Sequence, residues 1–210
     1  MLRIDQIKQV DQVKQLENPD ARVTFEDGID VNLLAEYANS YQGLCTSDNA
    51  QFLRLFWEQS LTTSWRFLQN TNTASINYSG RTTVLLWEDG KGRYYNHAMA
   101  LKKEGRLGGW KSGGNAWPKL GISVNVTRNV VAGIYDGEMF DNTIGVIIPK
   151  LEGNLLPIFC YINDPDYYIN LRKIDQALSI TEHTLLKVPF DLEYWQSVAD
   201  KKYPNGLQKP

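Results

Sequence analysis

The sequence predicts an α+β fold, a mixed sheet with packed helices, preceded by an N-terminal helix. Three observations predict it. Short β-branched runs bounded by turn residues share the chain with stretches of helical periodicity. The composition is ordinary for a globular protein, 42% hydrophobic and 22% charged, and too apolar for a disordered chain. The 210 residues suit one large domain, and no internal repeat or low-complexity linker divides them.

Residues 2–17 read as an amphipathic helix. Leu2, Ile4, Ile7, Val10, Val13 and Leu16 recur at mostly three-residue steps between Asp, Gln and Lys. Asn18-Pro19-Asp20 stops it, which divides the chain into a helix over 1–19 and a domain over 20–210. The apolar stripe requires cover, either from the same chain or from another protein.

A short helix is expected over 31–39. Asp48 suits an N-cap, and Phe52, Leu53, Leu55, Phe56 and Trp57 give an apolar face to a helix ending near Gln59. From Trp65 the pattern changes. Thr82–Trp87 is β-branched and apolar, as in a buried strand. Glu88–Gly92 is a turn cluster, and Arg93-Tyr94-Tyr95 is expected to open the second strand of a hairpin. Gly105, Gly108, Gly109, Gly113 and Gly114 mark a loop. One or two strands are expected over Gly121–Tyr135 and another over Ile144–Pro149. Leu155–Ile162 and Asp164–Asp175 read as helices, Ile180–Val188 as a strand pair or a strand with a turn, and Asp191–Lys201 as a last helix.

Several functions are disfavoured. No apolar run approaches the ~18 residues that cross a bilayer. The charged, periodic Met1–Asp5 is no signal peptide, so a cytoplasmic chain without a membrane segment is expected. Cys45 and Cys160 suit buried thiols, and two Cys with two His match no metal-ligand spacing. The nearest phosphate loop, Gly105–Ser112, has Trp110 where a glycine would let backbone amides cradle phosphate. Asp164-Pro165-Asp166-Tyr167 is one residue short of the Pro-Pro motif used in adenine methylation; it reads instead as a cap, a first-turn proline and a dipole-matched carboxylate. Glu88-Asp89 reads as a solvated turn, and His97 and His183 have no recognisable partners. No catalytic residue, cofactor or metal is therefore expected.

The positive charge is concentrated. Lys91 to Arg128 holds eight cations against Glu104 alone, a net +7, while the whole chain carries −2. Flat and amide side chains interleave the cations. The candidate contacts are Arg93, Lys102, Lys103, Arg106, Trp110, Lys111, Asn115 and Trp117. Lysine and arginine neutralise phosphates, and Arg and Asn present two hydrogen bonds in one plane to base edges. Composition alone leaves duplex DNA, RNA, acidic substrates and a partner protein open, as well as a merely solvated surface.

The order of residues narrows this. The chain resembles the target-recognition region of large N6-adenine DNA methyltransferases of the fused restriction–modification (type IIG) and phage-defence (BREX-type) kind, over roughly residues 30–208. The resemblance rests on Gly43-Leu44-Cys45-Thr46-Ser47-Asp48-Asn49 with Phe52, Arg54 and Phe56-Trp57-Glu58, on Tyr78-Ser79-Gly80-Arg81, and on Trp87–Gly92. It continues through Tyr135-Asp136-Gly137, Phe140-Asp141 and Leu155-Leu156-Pro157. Lys187–Leu192 with Trp195, followed by Tyr203-Pro204-Asn205-Gly206-Leu207, is its most specific part. It implies a target-recognition-like fold and a non-catalytic DNA specificity module. The implied partners are duplex DNA and a separate methyltransferase or nuclease catalytic subunit. The sequence shows no cofactor loop and no intact Pro-Pro motif, so a split subunit, a gene remnant or an excised fragment is expected. The alternative is a protein-interaction or regulatory remnant of such a system that docks through the N-terminal helix.

Overall fold

Two four-stranded sheets organise the chain. The computed structural model describes residues 32–207 except 61, 63, 74–76, 107 and 128, together with Asp11 and Val13. The helix expected over 2–17 therefore lies outside the described residues but for those two. In chain order the first half holds β1 (Ala38–Gln42), α1 (Asn49–Phe52), β2 (Leu53–Leu55), β3 (Trp65–Gln69), β4 (Thr83–Leu86) and α2 (Arg93–Lys103). Next come β5 (Gly121–Asn125), β6 (Ala132–Tyr135), β7 (Met139–Phe140) and β8 (Ile144–Pro149). Helices α3 (Leu155–Ile162), α4 (Pro165–Ile174) and α5 (Leu192–Lys202) complete the fold, with short 3-10 turns between elements.

The first sheet is antiparallel in the order β1-β8-β5-β6. Strand β8 shows why it is buried on both faces. Its Ile147 joins Ile122 and Val124 beneath the helices, while Ile144, Val146 and Ile148 pack with Tyr135 and Phe140 on the opposite side. Helix α3 buries every side chain from Pro157 to Ile162 and packs against α4 and α5 through Tyr161, Tyr167 and Trp195. Each of three helices starts as its sequence dictates. Asp48 accepts from the Gln51 amide at 3.0 Å, Asp164 from Asp166 at 2.9 Å, and Asp191 from Tyr194 at 3.0 Å.

The second sheet has the order β2-β4-β3-β7, with β7 running parallel to β3. Its core is aromatic: Phe52, Trp87 and Tyr94 pack with Leu44, Leu68 and Leu85, and Trp65, Trp110 and Trp117 close over them. A buried polar network ties the sheets together. Gln69 at the end of β3 donates to Ser123 Oγ at 2.9 Å, and Asn72 Nδ2 donates to the Ser123 carbonyl at 3.0 Å. Asn125 and the Asn72 backbone exchange two further bonds, 2.7 and 3.1 Å long. A methyl group on Gly133 would sit 2.5 Å from Asn72 Oδ1, so β6 needs glycine there for Asn72 to reach the network.

Four expectations are corrected. Residues 31–39 hold a 3-10 turn (Leu34–Glu36) and the start of β1 instead of a helix, because β1 pairs with β8 along its whole length. The helix from Asp48 ends after four residues, and Leu53–Leu55 turns into β2 by pairing with β4. Arg93-Tyr94-Tyr95 opens helix α2, not a hairpin strand. Ile180–Val188 is a 3-10 turn (Glu182–Leu186), and single bridges pair only its flanks, Ser179 with Thr127 and Pro189 with Leu33.

Candidate nucleic-acid interface

Helix α2 forms because Tyr94, which packs in the second core, and Ala98, one turn on, are both buried. The Tyr94 hydroxyl is shared between the carbonyls of Cys45 and Trp110, at 3.1 and 2.9 Å, and burial pushes this phenol far above its ordinary range. The Glu88 carboxylate caps the helix from outside by accepting from the Arg93 amide at 2.7 Å. The opposite face is polar and open: Arg93, Asn96, Ala100 and Lys103 recur at helical spacing, and all are exposed. Lys102 and Lys103 occupy the last turn, where cations also complement the helix dipole.

The chain then leaves as a loop that returns to the core at two points. The Cys45 amide donates to the Gly109 carbonyl at 3.2 Å, and Trp110 stacks on Trp87 with centroids 5.9 Å apart. Gly113 adopts φ +79°, and a methyl there would meet Phe140 Cζ at 2.5 Å. Ala116 is buried, and Trp117 meets Trp87 edge-on at 5.9 Å. Arg106, ahead of these anchors, and Lys111 and Asn115, between them, are exposed.

The eight sequence-derived candidates thus separate by environment. Arg93, Lys102, Lys103, Arg106, Lys111 and Asn115 are exposed, whereas Trp110 and Trp117 are half-buried and pin the loop. Among the described residues the side chains of Arg93, Lys102, Lys103 and Lys111 form no ion pair, although the Glu88 carboxylate sits at the Arg93 amide, and Arg106 pairs with exposed Glu104 at 3.1 Å.

One feature escaped sequence reasoning. Beside Trp117 lies a cleft of about 490 Å³ walled by Trp65, Phe67, Trp87 and Met139. Arg66 and Glu138 also line it. Arg81 bridges Asp136 at 2.6 Å and Glu138, and its guanidinium lies 5.6 Å from the centre of the Phe67 ring. Burial raises the Glu138 carboxyl above the usual range, against the lowering effect of Arg81. The available signal was the crowding of four of the six tryptophans between 65 and 117.

Other chemistry-bearing residues have structural places. Tyr167 is fully buried and donates to the Leu185 carbonyl at 3.1 Å, so its ring presents no open face. His97 Nε2 lies 3.0 Å from Ser47 Oγ, with its ring against Phe52, and no carboxylate among the described residues pairs with it. No group of three or more His, Cys, Asp or Glu among the described residues is placed to hold a metal ion. No described helix is long and apolar enough to cross a membrane.

The sequence matches no protein-family model and no curated protein. Among solved structures the chain is similar to the HsdS subunit from Thermoanaerobacter tengcongensis, with 13% identity and a TM-score of 0.47. The match covers 90% of this chain and spans 40% of the length of that one.

Proposed function

We propose that the chain is a non-catalytic DNA target-recognition module of an N6-adenine DNA methyltransferase or restriction–modification system. On this reading it acts in the cytoplasm beside a separate methyltransferase or nuclease catalytic subunit. The observation that carries the reading is the set of cations on α2 and the following loop, exposed and, among the described residues, in no ion pair but Arg106–Glu104. Exposed cations on one excursion from a rigid frame suit a polyanion. The ordered sequence resemblance to target-recognition regions supports duplex DNA as that polyanion. Lys102, Lys103 and Lys111 are assigned to phosphates as flexible point charges, and Arg106 joins them as a guanidinium that can hold two phosphate oxygens. Arg93 and Asn115 are assigned nearer the bases, where planar paired hydrogen bonds discriminate sequence. Trp110 and Trp117 hold the loop that carries them.

The test is a shift assay at low salt on random duplex DNA, with sequencing of the bound fraction. The comparison is a quadruple variant with Lys102, Lys103, Arg106 and Lys111 each replaced by Glu. Enrichment of one sequence by the wild type and its loss in the folded variant are expected. Equal binding by both proteins over a salt titration would show the basic stretch to be a solvated surface only.

A further inference from the structure

The aromatic cleft beside the basic loop has no part in target recognition as assigned to the cations. Its walls are unequal. Trp87 is already stacked on Trp110 and meets Trp117 edge-on, and Phe67 is covered by Phe56 and Arg81. Trp65 makes no ring contact among the described residues, although it lines the cleft and is only half-buried. It packs against the second core, and the part of it that lines the cleft is fixed in a strand with no other aromatic ring or cation laid on it.

The chemistry of the cleft narrows the ligand. Aromatic walls with a free indole select a flat ring. An aromatic cage with a carboxylate can also take a quaternary cation. Here, however, Arg81 is shared by Glu138 and Asp136, and Arg66 adds a positive charge that is only loosely paired with Asp89, at 3.7 Å. Exposed Lys119 follows Trp117 by two residues. Arg66, Arg81 and Lys119 thus meet Asp89, Asp136 and Glu138, and that even balance favours a neutral ring over a cation. Two residues of the lining also hold a polar atom without a partner, the Trp117 indole N–H and the second Glu138 carboxylate oxygen. One donates and the other accepts, as a base edge requires. Both are sealed from solvent, so they reach a ligand only after Trp117 turns; stacking on Trp65 needs no such movement.

We propose that this cleft takes an unstacked nucleobase, laid against the indole of Trp65. The proposal rests on the DNA-binding reading and adds to it a second, sequence-tolerant contact. The base comes either from a single strand or from a duplex that releases one nucleotide, at a cost of a few kcal/mol for unstacking.

The test uses the full chain and a fluorescein-labelled single-stranded hexanucleotide, followed by anisotropy. Trp65→Leu keeps apolar bulk but removes the flat ring, and Trp65→Phe restores one. Loss of about tenfold in affinity for the first, and less than about threefold for the second, is the expected result. Hexamers carrying 5-iododeoxyuridine, irradiated with the wild-type protein, should yield an adduct within Trp65–Phe67; this needs no variant to fold. A duplex containing 2-aminopurine separates the two sources. A change in its fluorescence that Trp65→Leu abolishes assigns the base to the duplex, and hexamer binding without that change assigns it to single strands. Three outcomes overturn the proposal: unchanged hexamer affinity in folded Trp65→Leu, adducts confined to other peptides, or saturable binding of tetramethylammonium in place of the hexamer. Duplex binding lost only in the quadruple charge variant, with no hexamer binding at all, overturns the cleft and leaves the recognition reading standing.

Discussion

Replacing Asn72 by Asp would change one nitrogen for an oxygen and almost no volume. In the structure Asn72 Nδ2 donates to the carbonyls of Ser123 and Val131, at 3.0 and 3.4 Å, and Oδ1 accepts from Ser123 Oγ at 3.0 Å. A protonated carboxyl can keep one donor and one acceptor there. An ionised one faces two carbonyl oxygens with no cation in the network, so its folded-state pKa rises well above the ~3.9 of an unfolded aspartate. The raised pKa makes the folded state bind more protons than the unfolded state. Stability therefore falls as pH rises through the window between the two pKa values, and returns on acidification. Each tenfold gain in proton affinity on folding is worth about 1.4 kcal/mol, so the penalty reaches at most about 4 kcal/mol at pH 7, beyond which the group takes a proton instead. At pH 4.5 the same relation leaves less than about 1 kcal/mol. In a chain of this size that amounts to a Tm lower than wild type by roughly 8–16 °C at pH 7 and by roughly 2–4 °C at pH 4.5. Circular-dichroism melts of Asn72→Asp, Asn72→Ala and wild type across this range provide the assay. Asn72→Ala should lose about 1–3 kcal/mol at every pH, because it removes bonds without introducing a charge. A Tm deficit for Asn72→Asp that is the same at pH 4.5 and pH 7 would refute the assignment of a dry, cation-free network between the sheets.

Gly113→Ala should lower stability by more than about 1 kcal/mol, since a methyl there meets Phe140 and the Gln42 carbonyl at 2.5 and 2.9 Å on a left-handed backbone. Gly108→Ala, with nothing within 4 Å, should melt as the wild type does, and comparison of the two melting curves checks both claims. Lys102→Ala is expected to weaken binding to all duplex sequences alike and to reduce the logarithmic salt slope by about one. Arg93→Ala should cost ~1–3 kcal/mol at the preferred site and relax the preference there, as read by sequencing the bound fraction. Deletion of residues 1–18 should leave a single cooperative melt; its loss would make the N-terminal segment part of the core.

Elements that carry their own instructions were legible from sequence. Ile144–Pro149 and Leu155–Ile162 match the structure to the residue, because continuous apolar runs of those lengths bury on both sides wherever they lie. The aspartate caps at Asp48 and Asp164 were equally local. Misreadings arose where distant partners decided. The polar β1 (ANSYQ) has little strand character of its own and extends because β8 pairs with it. The run from 48 to 59 has helical apolar spacing, yet β4 captures Leu53–Leu55. In α2 the pair Tyr94-Tyr95 suggested a strand, while the spacing of Tyr94, Ala98 and Leu101 already carried the helical period. Of the interface, the cations were readable as a charge run. The anchoring role of Trp110 and Trp117 was not, since it depends on Trp87 and Tyr94 converging from other elements.

The loop between α2 and β5 divides its labour by position. Gly109 and Trp110 fasten it to the second core, and Gly113 and Ala116 to the cluster of Tyr135 and Phe140, whereas Arg106, Lys111 and Asn115 are exposed. Exposed positions of this kind can be exchanged at little thermodynamic cost, while the fastening residues cannot. The chain is in this sense a socket with an interchangeable bit. On the DNA-recognition reading, rewriting Asn115 would alter base contacts and rewriting Arg106 and Lys111 would alter phosphate contacts, and a library confined to these three residues should remain almost entirely folded.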